Sequence, residues 1–246
     1  VTKLIDSIAP QPDDVFLEIG AGRGALTKPL ASRIKRLIAV EIDRDLAAVL
    51  PSQLPGHVRI VEGDVLDVDV RELLSAERLP IRVVGNLPYN VSSPIVFKLL
   101  KDADEGRRLS DATLMLQREV ADRLAATPGS RDYGVLAIQV SLLATVTRRF
   151  TLPPGAFRPP PKVTSAVVRL QFHPRSEDVG DPQVFEQLVR GVFHQRRKTL
   201  LNALKPVADS FGRAPSELID RAGVDGSKRP QALTLAEMAR LSRAVL

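Results

Sequence analysis

Val15-Phe16-Leu17-Glu18-Ile19-Gly20-Ala21-Gly22-Arg23-Gly24 decides the architecture. Five residues, apolar except for one acid, are followed at once by three alternating glycines. So short an apolar run suits a strand buried on both faces. Glycines directly behind it mark a tight turn that side chains would obstruct. Counting 15–20 as the first, similar runs recur at residues 37–43, 58–64, 82–87 and 113–116, with helical periodicity between them at 24–34, 44–54, 70–76, 94–100 and 119–126. Strands and helices alternating at this spacing predict a parallel sheet with helices on both faces. A further apolar helix is expected over 134–146. The runs 146–152 and 165–172 follow with no convincing helix between them, which predicts an antiparallel hairpin at the sheet edge.

After His173 the pattern changes. Residues 175–182 are polar, with Gly and Pro, and read as a linker. Beyond them Phe185, Leu188, Val189, Val192 and Phe193 keep 3.6-residue spacing. Continuing that helix would put Arg196 in the middle of its apolar face, so a break is expected near Gln195, with a new helix carrying Leu200, Leu201 and Leu204. Helices near 215–222 and 234–246 complete a small all-α module. The expected division is therefore an α/β domain over 1–173 and a helical domain over 174–246.

The chain has 246 residues, 44% hydrophobic and 26% charged, which excludes a disordered or collagen-like protein. Its longest uncharged stretches, 83–97 and 133–147, hold 15 residues, too few to span a bilayer. There is no cysteine, which removes disulfides, thiolate metal sites and cysteine nucleophiles. Nothing at the N-terminus resembles a signal peptide, so a cytoplasmic setting is expected. The net charge is +6, of which +3 falls in the last 73 residues, making the tail more than twice as basic per residue as the rest. Such an excess fits a polyanionic partner without identifying one.

The glycine turn has acidic partners. Gly20 permits the turn, Gly22 lets a ligand approach the backbone, and Gly24 lets helix and strand pack closely. Glu41 lies 21 residues after Gly20 at the end of the second run, where a carboxylate can accept hydrogen bonds from both hydroxyls of a ribose. Asp64, followed by Val65, closes the third run and suits the amino group of an adenine. Dinucleotide sites usually read G-x-G-x-x-G and present a helix N-terminus to pyrophosphate. This chain reads G-x-G-x-G, with Glu18 two places ahead. That pattern also suits S-adenosyl-L-methionine, which has a ribose and an adenine but no phosphate.

Asn86-Leu87-Pro88-Tyr89 closes the fourth run on the same edge as the glycine turn. It resembles the Asn/Asp-Pro-Pro-Tyr signature of enzymes that methylate the exocyclic amine of adenine, in the Asn-Leu-Pro-Tyr form of the ribosomal RNA adenine dimethyltransferases. An aryl amine is a poor nucleophile because its lone pair is delocalised into the ring. Two acceptors aimed at its hydrogens, the Asn86 side-chain oxygen and the Leu87 carbonyl, favour a pyramidal nitrogen and free that pair. Pro88 fixes the turn, and Tyr89 offers a face to a flipped-out base, a contact worth roughly 1–3 kcal/mol.

Further motifs resemble the same family. Phe157-Arg-Pro-Pro-Pro-Lys162-Val-Thr-Ser165 is similar to its Phe-x-Pro-x-Pro-Lys-Val-x-Ser loop, which makes Phe157 a second stacking residue or else a core anchor for a proline-rich loop. Lys162 reaches a phosphate or is merely solvated. The segment 127–134 resembles a family segment expected near RNA, and 193–202 is similar to the bacterial small-subunit branch more than to the large-subunit branch that confers macrolide resistance. Arg107 with Arg108, Arg148 with Arg149, and Arg196 with Arg197 and Lys198 form basic clusters that would hold RNA phosphates if they face one groove, or else are solvated faces. The three histidines share no ligand spacing, and no metal is expected.

The resemblance implies a Rossmann-like class I methyltransferase fold: α/β, with a seven-stranded, mostly parallel sheet and a small all-α C-terminal domain. It implies transfer of two methyl groups to each of two adjacent adenosines near the 3′ end of small-subunit (16S) ribosomal RNA. The implied partner is an immature small subunit, approached by a monomer. The rival readings are a DNA adenine methyltransferase, a large-subunit enzyme, an assembly-checkpoint binder with secondary catalysis, and an NAD-dependent enzyme; the last would need a hydride-acceptor site that the sequence does not show. Family members usually carry Phe-x-Gln-Asn/His-Phe-Leu ahead of the first helix, folding over the cofactor. This chain starts at Val1-Thr-Lys-Leu-Ile, after that segment, and weakened cofactor binding and activity are expected of it as it stands.

Overall fold

The computed structural model describes residues 1–106, 108–157 and 160–246. These form two compact units, one of Val1–Ala121 with Ala144–His173 and one of Asp122–Leu143 with Pro174–Leu246. The first contains α1 (Thr2–Ile8), β1 (Val15–Ile19), α2 (Thr27–Ala31), β2 (Arg36–Glu41), α3 (Arg44–Val49), β3 (Val58–Glu62), α4 (Val70–Leu73), β4 (Ile81–Asn86), α5 (Ser92–Gly106) and β5 (Leu109–Gln117). The division falls within α6 (Arg118–Leu124). α7 (Val135–Leu143) belongs to the second unit, while β6 (Ala144–Leu152) and β7 (Ser165–Phe172) return to the first.

The seven strands run in the order β3-β2-β1-β4-β5-β7-β6. The first five are mutually parallel, and β7 is antiparallel to both β5 and β6. The expected parallel sheet with an antiparallel edge hairpin is thus the one observed. From β1 the chain builds outward through β2 to β3, then crosses back to place β4 on the other flank of β1. A crevice opens beyond the C-terminal ends of strands at such a reversal.

All five β1 residues are buried. On one face Phe16 joins Leu4, Ile5 and Ile8 of α1, Leu26 and Leu30 near α2, and Val84, Met115 and Val167 from neighbouring strands. A second, smaller cluster of Ala21, Ala39 and Leu50 closes beneath the glycine turn. At the opposite edge of the sheet Arg82 binds Asp111 at 2.9 Å and Asp14 at 2.7 Å, and donates to the Ile8 carbonyl at 2.7 Å. That carbonyl lies at the end of α1, so one guanidinium fastens the helix to β4 and β5.

Several boundaries differ from the sequence pattern, each for a local reason. The helix expected from Gly24 begins at Thr27, because Gly24 sits at φ +79° and cannot be helical. The helix expected over 44–54 ends at Val49 and continues as a 3-10 turn, Leu50–Gln53, that carries Pro51. The one expected over 134–146 ends at Leu143, where the β-branched Thr145, Val146 and Thr147 take up strand structure. The helix over 94–100 is longer, spanning Ser92–Gly106, and α1 is an addition to the expected elements.

The second unit adds α8 (Pro182–His194), α9 (Leu200–Ser210), α10 (Pro215–Ala222) and α11 (Leu235–Val245). The break at Gln195 falls where the arginine would have spoiled the apolar face. The expected boundary placed 122–143 in the catalytic domain; these residues belong to the helical unit instead. Tyr133 meets Phe193 edge-on at 6.1 Å, Gly129 donates to the Gln231 carbonyl, and Ser176 donates to that of Leu142. None of these contacts is local in sequence. No helix among the described residues is long and apolar enough to cross a membrane.

Gly85 has no room for a side chain: a Cβ there would lie 3.0 Å from the Ile19 carbonyl oxygen and 3.2 Å from the Ile19 Cβ. Gly85→Ala is expected to destabilise the first unit by about 1–3 kcal/mol through this overpacking, read as a lower urea midpoint. An unchanged midpoint would show that the strands separate freely.

Candidate functional site

The crevice is built from strand ends. In the glycine turn Gly20, Gly22 and Gly24 all have positive φ, at +74°, +56° and +79°. Gly20 donates its N–H to the Val40 carbonyl at 2.9 Å, and Gly22 donates to Glu41 Oε2 at 2.7 Å. The other oxygen of Glu41 accepts the Asp43 N–H at 2.9 Å. A carboxylate has about four lone-pair positions, so Glu41 keeps acceptor capacity for a ligand. A Cβ on Gly22 would meet nothing within 4 Å, so the backbone faces open space there.

Gly63 donates to the Glu41 carbonyl at 2.9 Å, which brings the end of β3 beside β2. Asp64, half-buried, accepts the Leu66 N–H, and Val65 is buried behind it. Gly24 does not open the helix directly; it packs against Lys28 and Leu50.

Glu18 is the unusual member. It is 1% exposed, and its Oε2 has no hydrogen-bond partner. Its register neighbours are Ala39 and Val84, so it lies among apolar side chains. Burial pushes its carboxyl up to about 8; the charge of Glu41 adds to the rise, and the Thr27 hydroxyl opposes it. That hydroxyl is itself buried and makes no hydrogen bond of normal geometry.

Across the reversal, a Cβ on Gly20 would lie 3.9 Å from the Asn86 carbonyl, so the turn and the Asn-Leu-Pro-Tyr segment are adjacent. Asn86 is exposed at the end of β4, and Leu87 is buried, its N–H donating to Met115 O at 2.9 Å. The Pro88 carbonyl accepts the Val91 N–H, and that of Tyr89 accepts the Ser92 hydroxyl. Among the described residues no donor of the chain reaches the Leu87 carbonyl or the Asn86 amide oxygen. Asn86, Leu87, Pro88, Tyr89, Phe157 and Pro161 line one open cavity of about 310 Å³. Phe157 also packs against the larger apolar cluster, so it anchors its loop and lines the cavity together. The Tyr89 hydroxyl is hydrogen-bonded to Ser165 Oγ at 2.8 Å, and Ser165 is fully buried at the start of β7.

The basic residues divide. Arg148, Arg149, Lys162, Arg197 and Lys198 are exposed or half-buried at the surface, although Arg149 also donates to Ser7 at 3.3 Å. Arg196 is half-buried and donates to the Arg131 carbonyl at 2.8 Å and to Gln231 at 3.4 Å, so its guanidinium braces a turn. Arg108 donates to the Leu74 carbonyl. Arg107, Arg158 and Pro159 lie outside the described residues. Of the histidines, His57 is bonded to the Ala31 carbonyl at 3.0 Å. Sequence reasoning missed Ser165 as the partner of Tyr89. Ile42, directly after Glu41, is 67% exposed.

Comparison with known proteins gives a consistent result. The family model described as ribosomal RNA adenine dimethylase matches residues 1–244. The "Ribosomal RNA small subunit methyltransferase A" of Acinetobacter baylyi is 44% identical over 245 residues, covering 98% of this chain and 86% of its own length. That of Geobacter metallireducens is 44% identical over 255 residues, covering 100% and 90%. A dimethyladenosine transferase from Plasmodium falciparum superposes with a TM-score of 0.78 at 25% identity, over 98% of this chain and 92% of its own. The 23S rRNA methyltransferase ErmE does so with 0.66 at 26%, over 99% and 95%.

The buried acid makes stability depend on pH. Its folded-state value, about 8, lies above its unfolded value, so its contribution is fully present below about pH 4.3 and is lost as pH rises through 8. Relative to Glu18→Gln, the wild-type protein should lose on the order of 1 kcal/mol per pH unit across that window. Thermal melts of both proteins check this; parallel pH profiles would contradict it.

Proposed function

The chain belongs to the ribosomal RNA adenine dimethylase family, and on that premise we propose that residues 86 and 87 activate the adenine amine in this cavity. The enzyme dimethylates the N6 amine of adenine in ribosomal RNA and depends on S-adenosylmethionine. The chain's residues fit that cofactor. The glycine turn leaves its backbone open at Gly22, Glu41 retains acceptor capacity for a ribose, and Glu18, two residues before Gly20, has an oxygen, Oε2, without a partner. Glu18, Gly20, Gly22, Gly24, Glu41, Asp64, Val65 and Asn86 would hold it, with Ile42 as an apolar contact. S-adenosylmethionine, when bound, supplies a methyl group on a sulfonium, already activated for displacement.

The single observation that carries the reading is the pair of unengaged acceptors. Asn86 Oδ1 and the Leu87 carbonyl are two groups of this segment that, among the described residues, no donor of the chain reaches, and both residues line the cavity. They accept hydrogen bonds from the two hydrogens of an adenine amine, which draws its lone pair out of conjugation. Pro88 holds the carbonyl in place. Tyr89 and Phe157 provide faces for an extruded base, whose lost stacking in RNA they offset, and the Ser165 hydroxyl fixes the Tyr89 ring. With the amine activated, positioning supplies most of the rate.

The substrate we infer is the pair of adjacent adenosines near the 3′ end of small-subunit (16S) ribosomal RNA, within an immature subunit. The support is that relatives named for the small subunit are 44% identical, against 26% for the 23S rRNA methyltransferase. A monomer acting in the cytoplasm suits this substrate. Arg148, Arg149, Lys162, Arg197 and Lys198 are the phosphate contacts in this reading. Arg196, which donates through one nitrogen to the Arg131 carbonyl, keeps further N–H groups for the same role.

Asn86→Ala removes one acceptor. Its loss should cost about 1–3 kcal/mol, a fall of roughly 5–150-fold in methyl transfer, with RNA affinity largely intact. Single-turnover transfer to RNA, with a filter-binding control, measures both. An unchanged rate would overturn the proposed role.

A further inference from the structure

We propose that the side-chain amide of Gln117 is a further substrate-binding group, which donates a hydrogen bond to a ring nitrogen of the flipped adenine and holds the base through the second methyl transfer. The proposal rests on the reading that Asn86 and Leu87 accept the two hydrogens of the adenine amine.

Gln117 is the last residue of β5, the strand beside β4. Met115 is in register with Asn86, and its carbonyl accepts the Leu87 N–H at 2.9 Å, so β5 runs alongside the start of the Asn-Leu-Pro-Tyr segment. Side chains two apart on a strand share a face, as do register partners on neighbouring strands. Gln117, two residues beyond Met115, therefore stands on the face that carries Asn86. Its own register partner on β7 is Ser165, whose hydroxyl is hydrogen-bonded to that of Tyr89 at 2.8 Å. Opposed Cβ atoms in such a pair lie about 4.5–5.5 Å apart. Gln117 is thus beside the hydroxyl end of the ring offered to the base.

The fold does not use this amide. Among the described residues Gln117 makes no side-chain hydrogen bond, and it is half-buried with its polar atoms open to solvent. Gln171, towards the other end of the same strand pair, is by contrast spent on structure, donating to the Ser110 carbonyl at 3.0 Å. A primary amide brings two N–H donors and a carbonyl, and it is a side chain that matches an adenine edge. The ring nitrogens N1 and N7 flank the amine, and both are acceptors.

The need for such a contact follows from the chemistry of dimethylation. The first transfer forms an N6–C bond, breaks the S–C bond of the cofactor, and sends one amine proton to solvent. The monomethylated amine keeps a single hydrogen, so one of the two acceptors at residues 86 and 87 is left without a donor. A contact at a ring nitrogen survives the first transfer unchanged. Stacking on Tyr89 and Phe157 leaves the base free to turn in its own plane. Gln117 therefore matters more to the second transfer than to the first.

Single-turnover transfer is measured on RNA bearing adenosine, and on RNA bearing N6-methyladenosine, at the target position. Gln117→Met, which keeps the length and loses the amide, should slow the first transfer roughly 2–10-fold and the second by a larger factor, so that monomethylated RNA accumulates. Gln117→Glu, which keeps the shape and loses both donors, should shift the ratio of the two rates in the same direction. That ratio is read within one preparation, so it does not depend on the folded fraction of either variant. Replacing N7 or N1 of the target base by carbon identifies the atom: one of the two deaza substrates should slow the wild-type protein and have no further effect on Gln117→Met. Equal losses on the two transfers, or equal sensitivity of wild type and variant to both deaza substrates, would overturn the proposal while leaving residues 86 and 87 in their roles. An unchanged rate of Asn86→Ala on both RNAs would instead overturn the reading beneath it.

Discussion

The close approach of Gly85 to the Ile19 carbonyl governs the arrangement of everything around the crevice. Two parallel strands that start their loops one residue apart in register must part company in different directions. Here β1 turns through three glycines and β4 continues into Asn86 and Leu87. Because Gly85 has no side chain, the two departing loops stay within van der Waals reach, with Gly20 beside the Asn86 carbonyl. The cofactor reading and the base reading need this one contact, since methyl transfer requires donor and acceptor within a bond's length of reaction.

Around that contact the division of labour follows from which groups the fold satisfies and which it leaves open. The backbone near the site is largely engaged: Leu87 N–H by Met115, Pro88 O by Val91, Tyr89 O by Ser92. Rigid anchoring of this kind holds the open acceptors at a fixed angle, which is what preorganised electrostatic catalysis needs. The same logic applies to Glu18 in the opposite sense. There the fold leaves an acid oxygen without a partner in an apolar setting, and burial raises the carboxyl to about 8, which keeps the charge off it at neutral pH.

Much of this is legible in the sequence. The first five strands and the edge hairpin follow from short apolar runs, and the position of each motif at the end of its run is enough to put the glycine turn and Asn86 on one edge of the sheet. What escapes has identifiable causes. Periodicity cannot see that Gly24 holds a positive φ, so the pattern starts α2 three residues too early. It cannot weigh Pro51 against the helical pattern around it, nor tell that Thr145 to Thr147 favour a strand over a helix continuing from Leu143. The membership of 122–143 in the helical unit depends on Tyr133 meeting Phe193, a contact across 60 residues of sequence. Among site residues, a basic cluster gives no hint that Arg196 also donates to the Arg131 carbonyl while Arg197 and Lys198 stay exposed. Ser165 reads only as the end of a loop motif, because the partner of its hydroxyl is 76 residues away.

The central claim is that the Asn86 oxygen and the Leu87 carbonyl take the two hydrogens of a flipped adenine beside the cofactor. A crystal structure of the protein with S-adenosylhomocysteine and a short RNA substrate addresses it most directly, through the distances from adenine N6 to those two oxygens. The account predicts both near 3 Å, with the base between the Tyr89 and Phe157 rings. An adenine bound with N6 directed away from residues 86 and 87, while cofactor and RNA are both in place, would contradict it.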